Sequence, residues 1–333
     1  MRSFLLISAV YLVASVALTL SLGRSFDAAL LTLFEKGAHQ LSLLRYGLVV
    51  ILAAIALATW RFGAPVMLKG VARAALALIG TTIALSAFAL TKSNLNFIAA
   101  AFADPPFFAD PFFAQLDYLI HFNSDPYVWI HALFGSWGPD WVWLFYAGIS
   151  GILSLSFITI VAVTDPDKDR AADAYYLWLF MQIVLGNLLA LGAMSAGPIY
   201  YDQIFEGDRF APLAEVMQSS GMTASYVGEL QAALWSIFEA GKIFAGSGIS
   251  AFPSIHVAFA MVVAVYFGSR SVYFIPFGAL FVLIILIQSV LTGYHYAVDG
   301  YFSIVAIGGF WWWLRRRRTR RPGGANRTTG DEV

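Results

Sequence analysis

Chemistry in this chain has few side chains to draw on. Its histidines are His39, His121, His131, His256 and His295, and it contains no cysteine. Disulfides, thiolate metal sites, cysteine nucleophiles and palmitoylation are thereby excluded, while the compartment stays open. Two histidines sit in the densest contexts. One closes the run Gly246-Ser247-Gly248-Ile249-Ser250-Ala251-Phe252-Pro253-Ser254-Ile255-His256; the other stands in Thr292-Gly293-Tyr294-His295-Tyr296-Ala297-Val298-Asp299. Proline suits the first helical position, because its missing N–H would be unpaired there anyway. A helix is therefore expected to start near Pro253, with Phe252 in the unsuited role of N-cap and His256 in the first turn. Free N–H groups and the positive dipole end make such a turn an anion site, and Gly246 and Gly248 let backbone approach a phosphate closely. His295 and Asp299, spaced i, i+4, share a helix face. A carboxylate there can hold one imidazole nitrogen as N–H and leave the other as a lone pair. With His256 as proton donor to a leaving oxygen, the two histidines could perform phosphoryl transfer without metal. Alone, each motif is weak: Pro-Ser-x-His arises by chance, and His-x-x-x-Asp at helical spacing is commonly structural. Their combination is stronger, because the topology below puts both on one side.

The elements that must position them are membrane helices. The chain is 59% hydrophobic and 12% charged, with mean hydropathy +0.73. Soluble domains carry about a quarter charged residues, so this surface must face lipid. Runs near the ~20 residues needed to cross a bilayer are Ser3–Leu22, Tyr46–Trp60, Val71–Leu90, Trp141–Val163, Tyr175–Ser195, His256–Gly268, Val272–Leu291 and Tyr296–Leu314, the second and sixth being short. The first run exceeds a signal-peptide core and lacks a cleavage site, so it reads as a retained helix. Lys69, Arg73, Lys168, Arg170, Arg270 and the cluster Arg315–Arg318, Arg320 and Arg321 all fall on one side if the chain starts inside. Arg24, Lys36 and Arg45 oppose that pattern, but the balance puts both termini in the cytoplasm and His256 and His295 on the other face, most simply of a plasma or inner membrane. The basic cluster, directly behind an apolar run, reads as a positive-inside anchor rather than a nucleic-acid patch, and the net charge of zero suggests no polyanionic partner.

Residues 1–91 are thus expected to hold N-terminal membrane helices, 92–314 the functional membrane domain, and 315–333 a basic cytoplasmic tail. Two outer segments, 92–140 and 200–250, are too long for turns. The first, rich in Pro, Phe and Trp, suggests interfacial helices, and the second is expected to fold over the outer mouth. His121 and His131, in the first segment, could ligate a metal but read as ordinary amphipathic placements. His39 offers nothing specific, and Trp311–Trp313 read as an interfacial belt. No internal repeat is evident.

These motifs resemble the type 2 phosphatidic acid phosphatase superfamily over about the last two-thirds of the chain. The resemblance implies an all-α integral membrane protein of about eight transmembrane helices with a six-helix phosphatase-like core bundle. It implies His256 as general acid, His295 as the nucleophile that forms a phosphohistidine, and Asp299 as the group orienting it. The phosphatase branch usually carries an arginine six residues before the nucleophile, where this chain has Ser289, and an earlier Lys-x6-Arg-Pro motif, which is missing. The runs Ala251–His256 and His295–Asp299, with Ser195–Tyr201 as a looser first motif, look more like the inositolphosphotransferase branch, which includes inositol phosphorylceramide synthases. Without those arginines, phosphate needs other cations, and Lys242 and Arg209 are the candidates by position. Ser254, Gly248, Pro253, Lys242 and Tyr200 are taken as substrate-binding residues.

The favoured reading is an enzyme moving a phosphoryl or phospho-head group from a phospholipid or other phosphorylated lipid to a lipid alcohol, with a phosphatase acting on lipid phosphates or polyprenyl (pyro)phosphates as the alternative. No metal or nucleotide motif is seen, so no cofactor is expected. A transporter would place ionisable groups near the midplane. Here Gln182, Asn187 and Gln288 are the main polar residues inside spans, which makes transport the minority reading. A scaffold with a degenerate site is disfavoured by the intact His256, His295 and Asp299. Oligomeric state is not legible.

Overall fold

A backbone in hydrocarbon must satisfy its own hydrogen bonds, which an apolar chain of this kind does by coiling into helices. The computed structural model describes residues 1–24, 64–135, 138–242 and 246–319, with isolated positions between 49 and 60. Among them all regular structure is helical: α1 (Arg2–Ser21), α2 (Ala64–Ala100), α3 (Asp110–Ile120), α4 (Pro126–Phe134), α5 (Gly138–Thr164), α6 (Lys168–Gly192), α7 (Pro198–Phe205), α8 (Ala211–Ser219), α9 (Tyr226–Glu239), α10 (Ile255–Arg270), α11 (Ile275–Leu291) and α12 (Ala297–Thr319). Helices α5 and α6 each include a π-helical stretch, Trp143–Ile149 and Met181–Leu189.

Five helical stretches are long and apolar enough to cross a membrane: Arg2–Ser21, Gly70–Ala100, Gly138–Thr164, Lys168–Gly192 and Val272–Leu291. The protein is an all-helical membrane protein. These stretches meet five of the eight expected spans. The expected span Tyr46–Trp60 lies almost wholly outside the described residues, as do His39 and the tail beyond 319. The sixth and eighth form helices α10 and α12 without joining the five. Helix α10 has 16 residues, about 24 Å of rise against a ~30 Å hydrocarbon core, and it packs centrally against α5, α6, α11 and α12.

Helix α2 continues past the expected end at Leu90, so the expected boundary at 91/92 falls inside it. The reason is local. The Ser93 hydroxyl donates to the Ala89 carbonyl at 2.7 Å and the Asn94 amide to the Leu90 carbonyl at 2.8 Å, so polar side chains are satisfied by the helix itself. Helix α1 is fastened alongside by Thr91 Oγ1 to Ser15 Oγ and Asn94 Nδ2 to Thr19 Oγ1. Its Phe4 seats over Gly80, where a Cβ would come within 2.5 Å of the ring. Trp178, Phe157, Phe259 and Tyr266 fill the centre of the bundle.

Helices α10, α11 and α12 follow one another through short connections, so the start of α10, the end of α11 and the start of α12 share one end of the bundle. Arg270 and Arg315–Arg318 lie at the opposite end, where Arg318 pairs with Asp173 at 2.7 Å. The segments 92–140 and 200–250 include short helices, α3 and α4 in the first, α8 and α9 in the second, with α7 at its start.

Candidate active site

The start of α10 differs from the expectation in one respect. The N-cap is Ser254, whose Oγ accepts from the Val257 N–H, and Pro253 precedes the cap instead of opening the helix. Serine in an extended conformation can turn its hydroxyl onto the unpaired N–H groups, which proline and phenylalanine cannot. His256 nevertheless sits in the first turn. Two bonds staple this turn to α12: the Ser254 N–H donates to the Asp299 carbonyl at 3.3 Å, and the Ser303 hydroxyl lies 2.9 Å from the Ser254 carbonyl and 2.8 Å from that of Asp299.

The structure brings His256, His295, Asp299, Ser254 and Pro253 together. The two imidazole centroids are 6.4 Å apart and their planes meet at 68°. Tyr146, from the π-helical part of α5, stacks on His256 at 4.1 Å. The Tyr146 hydroxyl and Asp299 Oδ1 are both buried and lack a hydrogen-bond partner.

His295 occupies the turn between α11 and α12. Its Nδ1 lies 2.7 Å from the Ala251 carbonyl and 3.4 Å from Asp299 Oδ2, and that carboxylate oxygen also accepts from the Tyr296 N–H at 3.0 Å. The Asp299 carboxylate, expected to hold this nitrogen as N–H, is the more distant partner; the shorter bond goes to Ala251. A carbonyl only accepts, so Nδ1 carries the hydrogen and Nε2 keeps its lone pair. Burial pushes the ring's pKa down to about 3, with the Ala251 bond opposing and the Lys92 charge adding to the fall, so the ring is neutral at physiological pH.

The loop bearing Ala251 is docked on α2. Lys92 Nζ donates to the Ser250 carbonyl at 3.4 Å, and the Gly246 N–H donates to Ser93 Oγ at 2.7 Å. Gly248 lies so close to α2 that a Cβ would come within 1.9 Å of the Lys92 carbonyl oxygen. The close approach this glycine permits is therefore to α2 backbone. Lys92 is near enough for its charge to act on both His256 and His295.

The other expected residues stand apart. Tyr200 uses its hydroxyl on the Gln231 carbonyl at 3.0 Å and stacks on Trp235, tying α7 to α9. Arg209 bonds the Ala114 carbonyl and Asp125 and is a cross-link of the outer helices. Lys242 follows α9 and lines a cavity of about 180 Å³ with Ser93, Asn96, Phe238 and Gly248. Ser289, at the position where the phosphatase branch has arginine, is buried, and its carbonyl accepts from the His295 N–H at 3.3 Å. His121 bonds Tyr301 and the Asp117 carbonyl, and His131 bonds the Leu291 carbonyl. No cluster of metal-ligating side chains occurs among the described residues.

Sequence reasoning missed Lys92, Tyr146 and the Ala251 carbonyl. Lys92 had a signal: it is the one cation between Arg73 and Lys168. Tyr146 and Ala251 had none, since one reaches the site through a π-helical turn and the other through its backbone.

Residues 119–313 match the model of the PAP2 superfamily, and the chain belongs to that superfamily. Neither the curated proteins nor the solved structures compared with it include a match. Membership makes it a member of a family of lipid phosphatases and phosphotransferases in general.

Proposed function

We propose that this PAP2-superfamily chain is a lipid phosphotransferase of the inositolphosphotransferase type, in which His295 is the nucleophile and His256 the general acid. The observation that carries the reading is the 2.7 Å contact between His295 Nδ1 and the Ala251 carbonyl, which leaves Nε2 unprotonated on a ring whose centroid is 6.4 Å from that of His256. In the first step the Nε2 lone pair attacks phosphorus and an N–P bond forms. The P–O bond to the departing alcohol breaks, and His256 supplies a proton to that oxygen. Burial keeps His256 neutral in the free protein; the anionic phosphate beside it raises its proton affinity, so it takes up that proton as substrate binds. In the second, an acceptor hydroxyl gives its proton to His256 and attacks phosphorus, and the N–P bond breaks. Lys92 and the free N–H groups at the start of α10 offset charge on the phosphoryl oxygens. Asp299, held by the Tyr296 N–H, orients the imidazole and stabilises positive charge on it during attack.

The transferase reading is supported by the motif variants at Ala251–His256 and His295–Asp299. Ser195, at the head of the looser first motif, accepts the Ala251 N–H on its carbonyl at 2.6 Å, so that motif lies against the same loop. The cavity beside Gly248, polar at Ser93, Asn96 and Lys242 and apolar at Phe97 and Phe238, offers space for an acceptor with a polar head. The arginine-rich end opposite the histidines, read by the positive-inside rule, supports a site on the non-cytoplasmic side.

The test is incubation of detergent-purified protein with labelled phospholipids and phosphorylated lipids, with and without ceramide or diacylglycerol. Label in a new lipid only when acceptor is supplied is the expected result. Free phosphate without acceptor would make the protein a phosphatase. His295→Ala and His256→Ala should each lose several orders of magnitude in turnover, as removal of a covalent nucleophile or its proton donor does. More than about a tenth of wild-type rate in either would sink the mechanism.

A further inference from the structure

Helix α3 carries two carboxylates that the mechanism does not use. Asp110 has 0% and Asp117 2% of its surface exposed, and a buried carboxylate is costly unless fully hydrogen-bonded. Asp110 meets four donors: Ser195 Oγ at 2.7 Å, the Ala196 N–H at 2.7 Å, the Gly197 N–H at 3.0 Å and the Tyr296 hydroxyl at 3.0 Å. Asp117 accepts the N–H groups of Ala297 and Val298, each at 3.0 Å, and so caps α12 from outside. One turn on from Asp117, His121 reaches Tyr301 of α12 at 3.0 Å, a second tie between the same two helices.

These bonds converge on one atom. Asp110 fixes Ser195–Gly197; the Ser195 carbonyl receives the Ala251 N–H at 2.6 Å; and the Ala251 carbonyl receives Nδ1 of His295. On the other flank, Asp110 and Asp117 hold Tyr296, Ala297 and Val298, the three residues that follow His295. Gly197 completes the contact, since a Cβ there would come within 2.3 Å of the Tyr294 carbonyl oxygen. Both carboxylates precede residue 119, where the family match begins.

We propose that Asp110 and Asp117 are positioning residues that hold the His295 imidazole from both sides in its attacking orientation. The inference rests on His295 being the nucleophile. Asp→Asn turns one carboxylate oxygen into an NH2 group facing a backbone N–H, so each variant loses an acceptor while keeping its volume. Geometry displaced by an ångström costs transition-state complementarity far more than ground-state binding.

The probes are orthovanadate, which copies five-coordinate phosphorus, and inorganic phosphate, which does not, titrated into the detergent-solubilised full chain. Asp110→Asn and Asp117→Asn should weaken orthovanadate binding by about tenfold or more and change phosphate binding by less than about threefold, with little shift in melting. Ser195→Ala, which removes one donor and leaves the backbone bonds, should give a smaller loss in the same direction. The exposed Asp208→Asn should behave as wild type. Unchanged orthovanadate binding in both aspartate variants would overturn the inference while the function stands. So would equal losses of both ligands together with lowered melting, which would mean a merely structural role. If His295→Ala binds orthovanadate as wild type does, the nucleophile assignment itself fails.

Discussion

Gly248→Ala loosens the docking of the Ala251 loop onto α2 without removing any polar group of the site. The added Cβ would stand 1.9 Å from the Lys92 carbonyl oxygen and 2.8 Å from its carbonyl carbon, both backbone atoms of a long helix. Ordinary van der Waals contact begins near 3.4 Å, so the loop must retreat by about 1.5 Å. Ala251 lies three residues on, and its carbonyl is what holds Nδ1 of His295 at 2.7 Å. A retreat of even 1 Å there stretches that bond beyond hydrogen-bonding range and frees the ring. Misplacement of a reacting group by an ångström costs about a hundredfold in rate. Turnover of Gly248→Ala should therefore fall by about two orders of magnitude. The control is Gly151→Ala, in α5, where nothing lies within 4 Å of the new methyl and helix propensity gains by up to about 1 kcal/mol. The assay is initial rate on whichever lipid the wild type turns over, with thermal melting of each variant in the same detergent. A rate within threefold of wild type in Gly248→Ala would refute the claim that loop docking sets the nucleophile.

Two further outcomes follow from the same geometry. Lys92→Met keeps the length of the side chain and removes its charge, so turnover should fall by about 10²–10³-fold, the scale seen when one preorganised transition-state contact is removed; Lys92→Arg should recover part of it, and equal rates in wild type and methionine variant would remove Lys92 from the site. In a sample labelled with ¹⁵N-histidine, His295 should remain the neutral Nδ1–H tautomer as pH falls through 6.5 to 5, because burial holds its pKa near 3. The sign for stability is fixed by the same depression: the folded state binds fewer protons than the unfolded one between about 3 and about 6.5, so His295 contributes stability above that range and loses it on acidification. A His295 titration midpoint near 6.5 would contradict a desolvated ring.

What the sequence made legible follows from which interactions are local. The position of His256 in a first turn is a property of a short stretch, and the structure places it as read. His295 and Asp299 do not share a helix face as expected, because α12 starts only at Ala297, and His295 reaches Asp299 at 3.4 Å from the turn before it. Long apolar runs announced α1, α5, α6 and α11, because crossing a bilayer needs only length and composition. The end of α2 was misjudged because Thr91, Ser93 and Asn94 look like a loop to a hydropathy count, yet each is bonded within the helical pair α1–α2. Arg209 was a plausible phosphate cation by position alone; its partners, the Ala114 carbonyl and Asp125, are 95 and 84 residues distant in sequence. The Ala251 carbonyl was invisible for a deeper reason: every residue has one, and only the fold decides which carbonyl meets an imidazole.

The site is thus a composite of segments with different physical tasks. The start of α10 and the turn before α12 supply the two imidazoles of the proposed reaction, and these lie within residues 119–313 that match the family. The cation and the two tethering carboxylates come from α2 and α3, earlier in the chain. Helices α10 and α12 alone could not hold the two rings in register, because their mutual bonds run through Ser254, Asp299 and Ser303, all on one side of His295. Restraint on the other side comes from the loop 246–252, and that loop is itself held by α2, through Lys92 and Ser93, by Ser195, and by Phe252, which stacks on Phe113 of α3 at 4.3 Å. In the proposed reaction Lys92 supplies the charge for phosphate, and the same bond that docks the loop, Lys92 Nζ to the Ser250 carbonyl, is what places that charge where it acts on both histidines. Loop docking and charge supply are one structural event here, so a change that loosens α2 from the loop should cost both together.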